Sequence, residues 1–275
     1  MKKFVFIFLF FALKVFAQNT PDELMDTGNE YFAKGNPQKA AEYYTQYINV
    51  FKDSSRGYTA RGNAYLLLRD FKSALVDFKM ALFLDSNNSR AYSGRGTCYF
   101  FIGSITDAVR DLNKSIALDP NAILSYQTLA SIYTSEGKFS EALLAADNAL
   151  RINPNEGESY RIKGTVYYYM NDTSNAIAYL DKAVETAPDN PRMYTTRGAF
   201  FKDIGRLDLA MADYDKALQI NPENAEALAR KGIVFLLQKK YQEAVDYMEK
   251  GLKLDPGLEG GIKKYLDEAK SNLKK

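Results

Sequence analysis

The chain contains no histidine and no tryptophan, and Cys98 is its only cysteine. The absence of histidine excludes the commonest zinc sites, the Ser-His-Asp triad and the Cys-His dyad, because each of them needs an imidazole. A single cysteine cannot form an intramolecular disulfide. Without a neighbouring base to activate the thiol, we expect Cys98 to pack among apolar side chains. We therefore predict a protein that is not an enzyme and that holds no metal and no cofactor.

Paired carboxylates are the catalytic groups that survive these exclusions, since two acids can hydrolyse a glycoside. The nearest pairs in the sequence are Asp107 with Asp111 and Asp213 with Asp215. Both pairs fall in segments rich in charge, where a solvated outer face of a helix is the expected place for an acid. We interpret these carboxylates as surface groups.

Basic and acidic residues are nearly balanced, with 36 Lys and Arg beside 34 Asp and Glu. Charges of both signs are mixed along the chain, without the basic stripe that nucleic-acid binding normally needs. We therefore expect no nucleic-acid partner.

The first residues, MKKFVFIFLFFALKVFAQNT, place two lysines before an apolar run from Phe4 to Leu13. Val15 and Ala17 occupy the places that a signal peptidase reads, so the pattern predicts a signal peptide over residues 1–17. An uncleaved anchor is the alternative, although the run is shorter than the ~20 apolar residues that span a bilayer. No later segment is a candidate membrane helix. We expect export to the periplasm, the outer cell envelope or the medium.

A period of 34 residues runs from Pro21 to Leu258 without insertion or deletion. Self-similarity at a fixed period is typical of repeat architectures. The seven units begin at Pro21, Ser55, Ser89, Ile123, Gly157, Pro191 and Ala225.

Three places in the unit keep one kind of side chain. The eighth is Ala130 in the fourth unit and otherwise glycine: Gly28, Gly62, Gly96, Gly164, Gly198 and Gly232. The eleventh is aromatic: Tyr31, Tyr65, Tyr99, Tyr133, Tyr167, Phe201 and Phe235. The twentieth is alanine: Ala40, Ala74, Ala108, Ala142, Ala176, Ala210 and Ala244. A small residue beside a large one predicts a close contact between two antiparallel helices.

Each unit therefore reads as two helices and a turn. In the third unit the apolar spacing predicts helices over about residues 90–101 and 105–118, separated by Gly103 and Ser104. A proline disfavours helical geometry in the residue before it, so it closes a unit. Five units end in this way, at Pro120, Pro154, Pro188, Pro222 and Pro256.

The last segment, residues 259–275, predicts one more amphipathic helix. Its apolar stripe consists of Ile262, Tyr265, Leu266, Ala269 and Leu273. A stack of repeats leaves its final apolar face bare, and a terminal helix with a polar outer face covers it. We predict that this segment is the capping helix.

The small residue, aromatic, alanine and proline in a 34-residue helix-turn-helix frame resemble the tetratricopeptide repeat. The resemblance covers seven units within residues 18–258. It implies an all-α fold, a right-handed α-solenoid or superhelix. The chain departs from the family motif at the fourth place, usually Trp, which is Tyr in five units and Leu24 and Leu228 in the terminal ones.

In that family the first helices line a concave groove that holds a partner peptide or helix. The groove places are, by resemblance, the second, fifth, ninth, twelfth and thirteenth of each unit. Arginine and aromatic residues at such places supply many binding hot spots. Phe100 and Tyr168 are equally open to packing against the next unit, whereas Phe101 and Tyr169 favour binding. The predicted partner-binding residues are Asn29, Arg56, Asn63, Leu67, Arg90, Phe100, Phe101, Arg161, Tyr168, Tyr169 and Arg192.

The resemblance implies a non-enzymatic scaffold for protein–protein interaction, exported to the cell envelope and binding a protein or peptide partner. The identity of the partner and the oligomeric state stay open. The alternative is a protein that binds or processes carbohydrate with groove aromatics and carboxylates, which the lack of tryptophan disfavours. The carboxylate clamp of chaperone-binding family members is not expected, because Met25 and Ala60 stand where it has Lys and Asn.

Overall fold

The computed structural model describes residues 20–274, and the predicted signal peptide lies outside the described residues. Within residues 20–274 the chain forms fifteen α-helices, one 3₁₀-helix and no β-strand. None of these helices is long and apolar enough to cross a membrane. The helices are α1 (Pro21–Ala33), α2 (Pro37–Val50), α3 (Ser55–Leu67), α4 (Phe71–Leu84), α5 (Ser89–Phe101), α6 (Ile105–Leu118), α7 (Ile123–Ser135), α8 (Phe139–Ile152), α9 (Gly157–Tyr169), α10 (Thr173–Thr186), α11 (Pro191–Asp203), α12 (Leu207–Ile220), α13 (Ala225–Leu237), α14 (Tyr241–Leu254) and α15 (Glu259–Leu273), with the 3₁₀-helix at Pro256–Leu258.

The odd-numbered helices α1 to α13 are the first helices of the seven repeats, and they begin at the seven residues where the sequence places the units. The even-numbered helices α2 to α14 are the second helices. Most of the first helices are capped at their N-terminus by a short polar side chain. Thr20 Oγ1 accepts from the backbone N–H of Glu23 at 3.3 Å, and the Glu23 carboxylate accepts from the N–H of Thr20 at 2.7 Å. This reciprocal pair satisfies two N–H groups that the first turn leaves free.

The turn between the two helices of every repeat contains one residue with positive φ. Glycine adopts this left-handed conformation without steric cost, whereas other residues adopt it under strain. Glycine occupies the place in four repeats and a larger residue in three: Gly35, Gly103, Gly137 and Gly205, and Arg69, Asn171 and Lys239.

The described chain divides into two compact units, and the boundary lies inside α7. We call them the N-terminal unit, which ends at Thr128, and the C-terminal unit, which begins at Leu129. In each unit the two helices of a repeat pack closely, and all seven alanines of the twentieth place are fully buried.

The glycine of the eighth place forms a socket for a large side chain at the twenty-fourth place, in the second helix of the same repeat. A Cβ added at Gly62, for example, would lie 2.8 Å from Phe78 Cε1, closer than real contacts allow. The pairs are Gly28 with Tyr44, Gly62 with Phe78, Gly96 with Leu112, Gly164 with Leu180, Gly198 with Tyr214 and Gly232 with Met248. The fourth repeat has alanine at both places, Ala130 and Ala146, and both are buried.

The sequence pattern predicts that the aromatic residue of the eleventh place packs beside the glycine. This prediction is wrong, because the side chain of the twenty-fourth place fills that position. The aromatic side chains of the eleventh place are half-buried, except for Phe201, which is buried. Several of them lie against a cation instead: Arg61 Cζ is 5.8 Å from the centre of the Tyr65 ring, and Lys231 Nζ is 5.7 Å from that of Phe235. An amphipathic ring can cover such a contact while one edge stays in water.

The last helix, α15, packs on the seventh repeat. Ile262, Leu266 and Ala269 are buried in one cluster with Ile233 and Leu236 of α13. The predicted stripe is wrong at its end, because Leu273 is 44% exposed in the last turn of α15.

Candidate functional site

Four of the predicted groove residues lie together in the N-terminal unit. Asn29, Arg56, Asn63 and Arg90 line one cavity of about 470 Å³, and we call it the N-terminal groove. Three successive first helices, α1, α3 and α5, contribute these side chains. The repeat brings them together because the second and ninth places of neighbouring first helices face the same side.

The two arginines of the N-terminal groove are exposed, and neither makes an ion pair with any residue of the described chain. Asp85 also lines the cavity, but its Oδ1 accepts from the backbone N–H of Asn87 at 2.9 Å. The groove therefore presents two guanidinium groups, each with five donors and a full positive charge.

The floor of the N-terminal groove is satisfied internally. The Tyr44 hydroxyl donates to Asn29 Oδ1 at 2.9 Å, and Asn88 Nδ2 donates to Ser55 Oγ at 2.8 Å and to Thr59 Oγ1 at 3.0 Å. Burial raises the pKa of Tyr44, and the charge of Arg56 opposes that shift. The floor beneath the free arginines is thus neutral and hydrogen-bonded.

Four other predicted residues lie together in the C-terminal unit. Arg161, Tyr168, Tyr169 and Arg192 line a cavity of about 360 Å³, which we call the C-terminal groove. Its wall also contains Ala199 and Phe200 from α11 and three charged side chains: Asp203, Glu226 and Arg230.

The arginines of the C-terminal groove are paired. Arg161 Nε and Nη2 donate to Glu158 at 2.9 and 2.7 Å, and Arg192 Nη1 lies 3.2 Å from the same carboxylate. The Tyr168 hydroxyl donates to Asp203 Oδ2 at 3.1 Å. Burial is the main cause that raises the pKa of Tyr168, and the Asp203 carboxylate raises it further. The C-terminal groove therefore neutralises its own charge.

A further cavity of about 610 Å³ adjoins Arg161 and Tyr169 within the C-terminal unit. Its other lining includes the ring of Phe139 and the hydroxyl groups of Ser131, Thr134, Ser135 and Thr165. We call it the hydroxyl cavity. Tyr169 is 57% exposed at its edge.

The remaining predicted residues, Leu67, Phe100 and Phe101, line none of these three cavities. Leu67 and Phe101 are about half exposed, at 53% and 52%, and Phe100 is half-buried. The Phe101 ring stacks on Phe71 of α4 with ring centres 5.2 Å apart. These three side chains form apolar surface at the end of α3 and α5.

The interpretation of the acids as surface groups is wrong for two of them. Asp111 and Asp213 are 1% and 4% exposed, because their face of the second helix turns towards the first helix of the same repeat. Arg95 Nε lies 2.6 Å from Asp111 Oδ2, and Arg197 binds Asp213 through Nε at 2.9 Å and Nη2 at 2.6 Å. These carboxylates are occupied by ion pairs.

A third buried pair, Arg61 with Asp77, has two contacts of 2.8 Å and was not anticipated. The acid follows the arginine by 16 residues in all three pairs. That spacing between the seventh and twenty-third places is the sequence signal that would have found them. Burial of an ion pair with good geometry ties the two helices of a repeat together.

Cys98 is fully buried, and burial raises the pKa of its thiol to about 12. The thiolate is the reactive form of cysteine, so this side chain is inert at neutral pH.

Comparisons with known proteins identify the repeat. The sequence model of the tetratricopeptide repeat matches residues 25–89, 128–191, 163–224 and 201–259. The human tetratricopeptide repeat protein 12 is 42% identical over 64 residues, a match that spans 23% of this chain and 9% of the human protein.

Solved structures give the same result for the fold. A tetratricopeptide repeat protein of Parabacteroides merdae superposes with a TM-score of 0.68 at 17% identity, over 90% of this chain and 98% of that one. Yeast Tom70 superposes with a TM-score of 0.69 at 24% identity, over 92% of this chain and 54% of that one. The predicted all-α helical-repeat fold is confirmed by these likenesses.

Proposed function

Because the chain belongs to the tetratricopeptide repeat family, we propose that it is a non-enzymatic scaffold that binds a segment of a partner protein in its two grooves. The family supports a role in protein–protein interaction. The side chains that line each groove indicate what kind of partner segment it binds.

The observation that carries the proposal is the pair of free arginines in the N-terminal groove. Arg56 and Arg90 have no carboxylate partner in the described chain, although Asn29 and Asn63 surround them with further polar groups. A carboxylate of a partner would supply the missing charge through charge-assisted hydrogen bonds. Such complementarity also accelerates encounter at low salt. The partner segment is therefore acidic where it crosses this groove.

The C-terminal groove offers a different surface to the same partner. Tyr168 and Tyr169 pack at a tilt, with ring centres 5.1 Å apart, and Tyr168 meets the edge of Phe200 at 5.6 Å. Preordered aromatic side chains lose little entropy on binding and are enriched among hot spots. Since three carboxylates balance the three arginines of this groove, it favours apolar and neutral polar side chains.

Selection from a display library of random dodecapeptides on the full chain tests the proposal. We expect enriched peptides to carry Asp or Glu, and the double variant Arg56→Gln, Arg90→Gln to bind them at least about tenfold more weakly. The matched control is Lys72→Gln, Lys79→Gln, which removes two charges from exposed places on α4. Equal loss in both double variants, or no enriched peptide, would refute groove binding.

Export is the second part of the proposal, and it rests on the sequence of residues 1–17 alone. Mass spectrometry of the protein recovered from its native host measures the N-terminus directly. We expect the mature chain to begin at Gln18. A chain that keeps its first residues and stays with the membrane fraction would indicate the uncleaved anchor instead.

The hydroxyl cavity favours a second candidate, a carbohydrate-binding protein. An exposed ring at Tyr169 can stack on a sugar. The hydroxyl groups of Thr134, Ser135 and Thr165 donate to carbonyls of their own helices, so their oxygens can still accept from a sugar hydroxyl. Processing is not part of this candidate, because Asp111 and Asp213 are engaged by arginines. Binding on a glycan array that is lost in Tyr169→Ala would support it, and a blank array would exclude it.

A further inference from the structure

One buried hydroxyl in the C-terminal unit lacks a hydrogen-bond partner. Tyr214 of α12 is fully buried, and its hydroxyl oxygen meets no donor or acceptor among the described residues. Leaving a buried polar group unpaired costs free energy, so native structures rarely keep one without a reason.

Tyr44 of α2 occupies the same place in the first repeat, and the two rings pack alike. A Cβ added at Gly28 would lie 2.5 Å from Tyr44 Cε1, and one added at Gly198 would lie 2.8 Å from Tyr214 Cε1. Each ring thus fills the glycine socket of its own repeat.

The two repeats differ in the residue after the glycine. In the first repeat Asn29 follows, and its Oδ1 accepts from the Tyr44 hydroxyl at 2.9 Å. In the sixth repeat Ala199 follows, so the amide that would accept from Tyr214 is missing. The methyl group of Ala199 leaves open the space that an asparagine side chain would occupy.

That space belongs to the C-terminal groove. Ala199 lines the groove together with Leu180 and Phe200, and these last two side chains pack in one cluster with Tyr214. Three charged residues, Asp203, Glu226 and Arg230, complete the groove wall. By equivalence with Tyr44, whose hydroxyl reaches the side chain that follows its glycine, the unpaired hydroxyl lies beneath Ala199 at the floor of the groove.

We propose that the C-terminal groove recognises an asparagine or glutamine side chain of the partner, whose carboxamide oxygen accepts the hydrogen bond from Tyr214. The partner would supply the group that Asn29 supplies to Tyr44. This inference rests on the proposed function and names the chemistry of the bound segment. A neutral amide fits where a carboxylate does not, because Asp203 and Glu226 would repel a negative charge and can accept from the amide NH₂.

Arg230 is the movable part of the groove wall. Its side chain is 36% exposed and is held by Glu226 of the same helix at 2.8 Å. An exposed pair of this kind is weak, so a bound segment can displace the side chain at little cost.

Thermal unfolding of two matched variants tests the unpaired hydroxyl without any ligand. Tyr44→Phe removes a hydroxyl that is paired and should lower the melting temperature by about 2–4 °C. Tyr214→Phe removes a hydroxyl that has no hydrogen-bond partner, so the melting temperature should stay the same or rise. An equal decrease in Tyr214→Phe would show that a buried water already satisfies the hydroxyl, and would overturn the proposal.

The dodecapeptide selection then tests the recognition itself. We expect enriched peptides to share an Asn or Gln, and fluorescence anisotropy to give a dissociation constant about 3- to 10-fold higher for Tyr214→Phe. Ala199→Asn supplies the amide internally, so it should raise the melting temperature and weaken peptide binding more than tenfold. Tyr247→Phe, which removes a hydroxyl that lines neither groove, should bind the peptides as the parent chain does.

The outcomes separate this inference from the proposed function. Enriched peptides that bind Tyr214→Phe unchanged, or that tolerate replacement of their Asn or Gln by Ala, overturn the carboxamide contact and leave groove binding in place. A selection that enriches no peptide overturns both.

Discussion

The two units consist of the same repeat, but their arginines differ in the number of carboxylates with which they pair. In the N-terminal unit Arg56 and Arg90 line the groove without an ion-pair partner in the described chain, and half-buried Arg61 has one acid, Asp77. In the C-terminal unit Glu158 pairs with two of the groove arginines, Arg161 and Arg192. Half-buried Arg197 there has two acids, Asp213 and, at 2.8 Å, Asp181.

This difference shows how one backbone can present two kinds of binding surface. The packing that holds a repeat together uses the eighth, twentieth and twenty-fourth places, which behave alike in both units. The groove places are free to vary, because they contribute little to that packing. In the C-terminal groove three acids, Glu158, Asp203 and Glu226, offset the charge of the three arginines and leave the groove neutral.

The largest expected effect comes from the buried pairs. Asp77→Ala leaves Arg61 without any counter-charge, so we expect a loss of about 3 kcal/mol in the free energy of unfolding. Asp213→Ala leaves Arg197 with Asp181, so we expect about 1–2 kcal/mol. Urea unfolding followed by circular dichroism measures both.

A compensating double variant is the control for this prediction. Arg61→Met with Asp77→Leu removes both charges, and it should recover most of the stability that Asp77→Ala loses. Equal losses in Asp77→Ala and Asp213→Ala would contradict the difference in charge balance between the units.

The next effect should be the same in both units. Ala74→Leu and Ala176→Leu each place a larger side chain at a fully buried contact, which costs about 1–3 kcal/mol by overpacking. Equal decreases in the urea midpoint of the two variants would show that the units differ in the charge balance of their arginines and not in their packing. A variant with an unchanged midpoint would refute the tight contact at that alanine.

The smallest effect is a change in binding. Glu158→Gln frees Arg161 and Arg192, so the C-terminal groove should come to resemble the N-terminal one. We expect the affinity for an acidic peptide to rise about 2- to 5-fold at low salt, because both arginines lose their carboxylate partner. Stability should fall modestly, because Arg161 is only 12% exposed and loses two hydrogen bonds. Calorimetric titration measures the affinity, and Glu185→Gln is the control, because it removes an exposed acid of α10 that lies outside the groove.

The repeat frame and the helix ends could be read from the sequence because their signals are local. Each first helix begins where the 34-residue period places it, and the third repeat ends its helices at Phe101 and Leu118 as predicted. The socket partner was missed because its side chain differs from repeat to repeat. Tyr44, Phe78 and Met248 share size and not chemistry, so no column of one residue type marks them.

The charge balance of the grooves could be predicted only in part. The second place named Arg56, Arg90 and Arg192 as groove residues, and the repeat geometry alone brings them to the cavities. Whether an arginine is free depends on a single acid elsewhere, such as Glu158, that follows no period. Asp213 was misjudged because its sequence neighbours are charged, whereas its partner lies 16 residues away on another helix.

The free arginines of the N-terminal groove are the central claim, and the salt dependence of peptide binding tests them most directly. An acidic dodecapeptide from the selection should bind the parent chain with an affinity that falls steeply between about 50 and 200 mM salt, since exposed charges are screened over about 10 Å. Arg56→Gln with Arg90→Gln should bind it at least about tenfold more weakly at low salt and with little dependence on salt. Equal affinity and equal salt dependence in the parent and the double variant would contradict the account.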